Sequence, residues 1–124
     1  MNTVFVILWM IFFHIVDDFY IQPVWLSSGK QKSWWEKNAP DKLYRYDYIM
    51  ALIMHSISWA FMIMLPIAYY QGFAVGIDFI VVFVINIAIH AFTDNCKANW
   101  KTISLIHDQI VHMFQIMFTF IVLI

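Results

Sequence analysis

The sequence has little charge and a single cysteine. Of its 124 residues, 12% are charged and 63% are hydrophobic, whereas soluble domains have about 25% charged and about 45–50% apolar residues. So few polar residues cannot cover a soluble globule, and the same composition excludes a disordered chain. Cys96 has no second cysteine to pair with, which excludes a disulfide-stapled scaffold. The lipid bilayer is therefore the expected solvent of this chain.

Several catalytic and binding motifs are also absent. With only three glycines, the chain has no Gly-rich loop to cradle a phosphate, and it has no nucleophile elbow. No Ser or Cys stands beside a histidine in a recognisable motif, which disfavours covalent catalysis. Five histidines are too few for a membrane di-iron oxygenase. A net charge of -1 argues against nucleic acid as a partner.

Four continuous apolar segments are present instead. Each is close to the roughly 20 residues that a helix needs to cross about 30 Å of hydrocarbon. They cover residues 3–21, 48–70, 72–92 and 103–124. The first is interpreted as a retained helix, because no basic residue precedes it and no small-residue cleavage site follows it. The sequence predicts an all-α membrane protein, a bundle of four transmembrane helices in a single domain over residues 1–124.

The basic residues predict the orientation of this bundle. All of them lie in two connections, namely Lys30, Lys32, Lys37, Lys42, Arg45, Lys97 and Lys101. Because short basic loops stay in the cytoplasm, both connections are expected there, with both termini on the non-cytoplasmic side. The expected location is the inner (plasma) membrane, crossed several times.

The first connection, residues 22–47, combines its basic residues with tryptophan and tyrosine side chains. Such a mixture suits the lipid interface, where it would contact anionic lipid headgroups. A solvated connector is the simpler alternative.

Ionisable residues inside the apolar segments form a pattern. Burying them in a membrane is costly unless they are paired or functional. Three segments each carry a His and an Asp four residues apart, on one helical face. These pairs are His14 and Asp18, His90 and Asp94, and Asp108 and His112. In the predicted topology all six lie in the cytoplasmic half, so we expect one compact cluster.

Imidazole and carboxylate groups on facing helices are suitable ligands for a divalent metal such as Zn, Mn or Fe. All six cluster residues are candidate ligands, with His55, Gln22 and Gln109 as supporting residues around them. A hydrogen-bonded polar core that holds the helices together is the alternative. Asp17 is expected to be a solvated cap, and His107 is either part of the site or interfacial.

The order of these residues resembles a known family. The chain contains His14-x3-Asp18-Phe19-x2-Gln22, then Lys30 and Lys32, then His55, then His90-x3-Asp94-x2-Lys97, then Asp108-Gln109-x2-His112. This order is similar to that of small integral membrane proteins of bacteria and phages, catalogued as a domain of unknown function. The resemblance implies a helical membrane protein with polar signature positions, and it implies no activity.

Three functions fit the predicted cluster. The first is a metal-dependent hydrolase acting on an amphiphilic lipid or phosphoester substrate, in which the ion activates a water molecule. Asp108 or Asp18 would then accept the proton, and Lys97 would hold an anionic headgroup. The second is metal-ion or proton binding and transport, which would suit a homo-oligomer. The third is modulation of a host membrane complex, which would leave the cluster structural.

Overall fold

The computed structural model describes residues 2–124, and within these residues it is helical, without a strand. Four long helices and two short ones follow each other along the chain. They are α1 (Thr3–Val16), α2 (Val24–Gly29), α3 (Lys32–Asn38), α4 (Asp47–Tyr70), α5 (Ile77–Asn95) and α6 (Leu105–Leu123). Counted with their flanking turns, α1, α4, α5 and α6 are long and apolar enough to cross a membrane. The predicted all-α class with four spanning helices is confirmed.

Two of the long helices end in a wider, π-helical turn. Asp17–Ile21 continues α1, and Cys96–Trp100 continues α5. Such turns often occur at functional sites, because the extra residue changes which side chains face inward. Both turns lie at the end of the bundle that carries the basic connections.

Local caps explain where two helices begin. The side chain of Asn2 accepts a hydrogen bond of 2.8 Å from the backbone N–H of Val4 at the start of α1. At the start of α6, Ser104 and His107 form a reciprocal capping box, which satisfies backbone donors that the first turn leaves free. His107 is exposed and bonded within this cap, so it lies outside the cluster of ionisable residues.

The third spanning helix differs from the predicted range of 72–92. Gly72 and Phe73 both have positive φ angles, of 64° and 61°, and such a left-handed pair cannot continue a right-handed helix. The turn therefore extends to Gly76, and α5 begins at Ile77. At its other end, the helix and its π-turn continue to Trp100, beyond the predicted end.

The bundle is built around α4. This helix packs against α1 on one side and α5 on the other, and α6 contacts both α1 and α5. One half of the interior is apolar. It is filled by Val6, Met10, Ile63, Met64, Ile67, Val82 and Ile116. The outer surface exposes large apolar side chains, for example 70% of Phe114 and 70% of Ile121, as expected of helices that face lipid.

The connection between α1 and α4 is folded against the end of the bundle. Short helix α2 contacts α4, and the indole N–H of Trp35 donates to the carbonyl of Gly29 at 2.8 Å. Asn99, in the π-turn after α5, accepts from the backbone N–H of Lys32 and donates to the carbonyl of Lys30. These bonds fix the position of Lys30. The contact of this connection with lipid headgroups stays a prediction.

Candidate metal centre

All four long helices place ionisable side chains in the other, polar half of the interior. Seven His and Asp residues there are almost completely buried. They are His14, Asp17, His55, His90, Asp94, Asp108 and His112. Asp18 is 11% exposed. Burying so many ionisable groups in an apolar bundle is costly unless their charges are compensated, so the contacts among them define what the site can do.

His112, on α6, is held in one tautomer. Its Nδ1 lies 3.0 Å from Oε1 of Gln115. The amide nitrogen of Gln115 donates to the carbonyl and to Oδ1 of Asn86, both at 3.1 Å, so Oε1 is left to accept and Nδ1 of His112 must donate. The lone pair of His112 is therefore on Nε2, which lies 3.3 Å from Oδ1 of Asp108 and 3.7 Å from Oδ1 of Asp94.

The hydrogen bonds that hold Gln115 in place continue deeper into the bundle. The amide nitrogen of Asn86 donates to the hydroxyl of Thr119 at 2.7 Å, and that hydroxyl donates to the carbonyl of Gln115 at 2.7 Å. Each member is buried. A ring nitrogen fixed in this way by an outer hydrogen bond is a common feature of metal-binding histidines.

His90, on α5, completes the group. Its ring stacks on His112 with 4.2 Å between centroids and on Trp59 with 4.3 Å. Its Nε2 lies 3.4 Å from Oδ2 of Asp94. Among the described residues, neither ring nitrogen of His90 has a hydrogen-bond partner, and the same holds for Nε2 of His112 and Oδ1 of Asp108.

The spacing of these atoms fits an ion. Two ligand atoms bound tetrahedrally to zinc at about 2.0–2.2 Å lie about 3.4 Å apart. The separations of 3.3, 3.4 and 3.7 Å among His90, Asp94, Asp108 and His112 bracket that value. They are long for hydrogen bonds between such groups. The cluster is compatible with metal binding. Three overlapping sets of residues have ligand atoms within 4.8 Å of one another inside each set, namely Asp18, His55 and His90; His90, Asp94 and His112; and Asp18, Asp108 and His112.

A second part of the cluster joins α1 to α4. Nε2 of His55 lies 3.2 Å from Oδ1 of Asp18 and 3.6 Å from Oδ2 of Asp94. Asp17 accepts a hydrogen bond of 2.6 Å from the hydroxyl of Ser58, and its other oxygen lies 3.8 Å from Nδ1 of His55. His55 therefore lies between carboxylates of α1 and α5, within the centre itself.

The predicted solvated position of Asp17 is wrong, because this residue is only 1% exposed. Neighbouring residues on a helix point about 100° apart. Both carboxylates face α4, because Asp17 accepts from Ser58 and Asp18 lies against His55 at the edge of the centre. The sequence pattern predicted that only Asp18 faces the interior of the bundle, whereas both aspartates do.

His14 is next to the cluster, but both of its ring nitrogens have close partners. Nδ1 accepts from the indole N–H of Trp59 at 2.7 Å, which leaves Nε2 to donate to Oε1 of Gln109 at 2.8 Å. The amide nitrogen of Gln109 in turn donates to Oδ2 of Asp108 at 3.0 Å. His14 belongs to none of the three sets of candidate ligands.

Two lysines lie at the open side of the centre. Lys30, only 6% exposed, donates to Oδ2 of Asp94 at 3.0 Å. Lys97 donates to Oδ2 of Asp108 at 3.1 Å. When the imidazoles are neutral, these two lysines leave two negative charges uncompensated on the four aspartates of the centre, which are Asp17, Asp18, Asp94 and Asp108. A divalent cation would balance these charges.

A small polar cavity of about 40 Å³ connects the centre with the outside, enough for roughly two or three water molecules. Its wall includes Asp18 and Gln22 of the α1 end, Lys30, Lys97 and Gln109. Oε1 of Gln22 is buried without a hydrogen-bond partner among residues 2–124. The cavity gives water, or part of a substrate, access to Asp18 and Asp94.

The structure thus brings the predicted residues to one end of the bundle, where Lys97 and Gln22 line the opening. Sequence reasoning placed Lys30 in the basic connection and among the positions of the family resemblance, and not in the site. It also gave no site role to Asn86, Gln115 and Thr119. Their spacing could have revealed them, since Asn86 precedes His90 by four residues and Gln115 and Thr119 continue the face of His112.

The fold and site together define a small helical protein with spanning-length helices and a buried His/Asp centre. The chain belongs to the family described as Protein of unknown function (DUF3307), whose sequence profile matches residues 5–124. No curated protein and no solved structure matches the chain.

Proposed function

We propose that this protein is a metal-dependent membrane hydrolase whose ion is bound by His90, Asp94 and His112, with Asp108 beside them. The observation that carries the proposal is that several nitrogen and oxygen atoms of these side chains are buried without a hydrogen-bond partner among the described residues. His90 Nε2, His112 Nε2 and Asp108 Oδ1 have no hydrogen-bond partner within residues 2–124. Buried polar atoms are nearly always satisfied, and a cation bound by His90, Asp94 and His112 would satisfy both imidazole nitrogens at once.

A divalent ion at this position would act as a Lewis acid and activate a water molecule. The protein supplies the other groups that hydrolysis of an ester or phosphoester requires. Asp18 lines the cavity and is the carboxylate placed to accept the proton that the attacking water loses. The water oxygen bonds to the carbonyl carbon or phosphorus, the bond to the leaving oxygen breaks, and that oxygen takes the proton that Asp18 accepted. Asp108 lies beside the ligand His112 in this proposal. Lys97 faces the cavity, where it binds negative charge on the substrate.

His14 has a supporting role in the proposal. Because it donates to Gln109, which donates to Asp108, His14 holds in place the carboxylate that lies against the ligand His112. His55 lies against Asp18, so it sets the position and charge of the proposed base.

The two alternative functions have less support. Transport requires polar groups that continue to the other end of the bundle. Beyond Asn86 and Thr119, the buried residues described are apolar, among them Met10, Ile67 and Val82. A purely structural core would satisfy its own hydrogen bonds, whereas several buried atoms of this cluster have no partner within residues 2–124.

Metal binding is tested by elemental analysis of the detergent-purified protein. His112→Gln removes a proposed ligand, and His107→Gln is its matched control, since His107 lies on the same helix but is exposed in the cap. We expect stoichiometric metal in the wild type and His107→Gln, and a loss in His112→Gln. Absence of metal from the wild type, even after Zn²⁺, Mn²⁺ and Fe²⁺ are added back, would contradict the proposal.

Catalysis is tested separately with Asp18→Asn. This change keeps the size of the side chain and removes its ability to accept a proton. We expect the variant to retain metal and to lose hydrolysis of a lipid phosphoester panel by about 10²–10⁴-fold, the usual contribution of a general base. Full activity in Asp18→Asn would exclude this residue as the base. If the metal-loaded wild type cleaves no ester of the panel, the hydrolase assignment fails while the metal site stands.

A further inference from the structure

We propose that the substrate of this centre is a lipid with an anionic phosphate headgroup, which enters sideways from the bilayer along α6. The headgroup occupies the polar cavity, and one hydrocarbon chain lies in a groove on the outer face of α6. This inference rests on the proposed hydrolytic site and adds the class of substrate and its route.

The headgroup position follows from the two lysines in the cavity wall. Each ammonium group has three N–H donors, and the hydrogen bonds of Lys30 and Lys97 to carboxylates use one donor each. With a divalent cation bound, the ion and the two lysines together balance the four aspartates, and both ammonium groups keep unused N–H donors. A phosphate is the complementary group, because it offers several acceptor oxygens and negative charge.

The chain position follows from a groove that begins where the cavity opens. The groove has a volume of about 470 Å³ and runs along α6 from Leu105 to Met117. Leu105 and Gln109 line both the groove and the polar cavity. A ligand can therefore be continuous from one to the other. Except at Gln109, the side chains that line the groove are apolar, so its occupant is a hydrocarbon chain.

The length of the groove points to a single leaflet. The twelve-residue step from Leu105 to Met117 covers about 18 Å of helix, at 1.5 Å per residue. Half of the hydrocarbon core is about 15 Å thick. One lipid chain of the leaflet at the basic end of the bundle matches this length, and its headgroup then lies at the level of Lys30 and Lys97.

The test is native mass spectrometry of Zn²⁺-loaded protein with added lipid, counting both the intact lipid and any cleavage product that stays bound. The probes are dioleoyl phosphatidic acid, dioleoyl phosphatidylcholine and inorganic phosphate. Ile106→Trp and Ile110→Trp fill the groove. Both positions face outward, with 72% and 48% of the side chain exposed, so the fold should tolerate them. Ile121→Trp, at a position of the same helix that is 70% exposed and outside the groove, is the matched control.

We expect phosphatidic acid to be retained more tightly than phosphatidylcholine by the wild type and by Ile121→Trp. Each groove variant should weaken retention by about tenfold, the effect of displacing one or two methylene groups of the chain. Metal content should be the same in all four proteins.

Three results would overturn the inference. Equal retention of both lipids would remove the headgroup selectivity, and unchanged retention in the groove variants would remove the route along α6. The third result is that inorganic phosphate displaces the lipid and that the groove variants leave this displacement unchanged. It would identify a free anion as the ligand. Loss of metal from the wild type would instead contradict the proposed function, and elemental analysis of the same samples distinguishes that failure.

Discussion

Replacing Gln115 with leucine separates metal binding from helix packing. Gln115 is 4% exposed and contacts the proposed ligand His112 through a hydrogen bond of 3.0 Å to Nδ1. Leucine fills a similar volume but cannot accept this hydrogen bond. The ring of His112 is then free to rotate or to place its proton on Nε2, which directs the lone pair away from Asp94 and Asp108.

The expected loss can be estimated from this geometry. Removing an outer partner of a metal-binding histidine usually weakens metal affinity 10- to 100-fold, which equals about 1.4–2.7 kcal/mol. The change also removes two donors to Asn86. Because interhelical hydrogen bonds in membranes average about 0.6 kcal/mol, the bundle should lose only about 1–2 kcal/mol of stability and stay folded.

The assay is a titration of the metal-free protein with Co²⁺, followed by visible absorption and repeated with Zn²⁺ competition. Gln115→Glu is the informative companion variant. Its carboxylate can still accept from Nδ1 of His112, as carboxylates do beside many zinc-bound histidines, although it cannot donate to Asn86. We expect Gln115→Leu to weaken Kd within the range above and Gln115→Glu to restore most of the affinity.

The reasoning would be refuted if Gln115→Leu bound metal as tightly as the wild type. The same conclusion follows if both variants lost affinity equally, since disturbed packing would then explain the result. A thermal unfolding curve for each variant in detergent identifies that second case.

Two further predictions concern packing and topology. Trp59→Phe keeps an aromatic ring but removes the indole N–H that donates to His14. It should lower the free energy of unfolding, measured by denaturant titration in detergent, by about 0.5–1.5 kcal/mol. An unchanged free energy of unfolding would show that this hydrogen bond makes no net contribution to stability. In a Cys96→Ala background, a membrane-impermeant maleimide should label Ala74→Cys only from the non-cytoplasmic side and Lys37→Cys only from the cytoplasmic side. The reverse pattern would contradict the orientation predicted from the basic loops.

The sequence determined the class of this protein and most of its centre. Continuous apolar segments of spanning length allow little besides long helices, because every backbone polar group in hydrocarbon must be bonded within its own segment. The His and Asp pairs four residues apart then share a helical face, and alternating helix direction brings those faces to one end. These rules are local or depend on chain direction only, so they can be applied without coordinates.

The tertiary structure decided which groups are left to bind an ion. Among the described residues, Nε2 of His90 and of His112 has no hydrogen-bond partner, while the two ring nitrogens of His14 are bonded to Trp59 and Gln109. This difference depends on partners up to 95 residues away. The burial of Lys30 is also a tertiary effect, since Asn99 holds its backbone from the far side of the chain. Such contacts follow from how helices rotate and how connections fold over them, and no spacing within a single segment encodes that geometry.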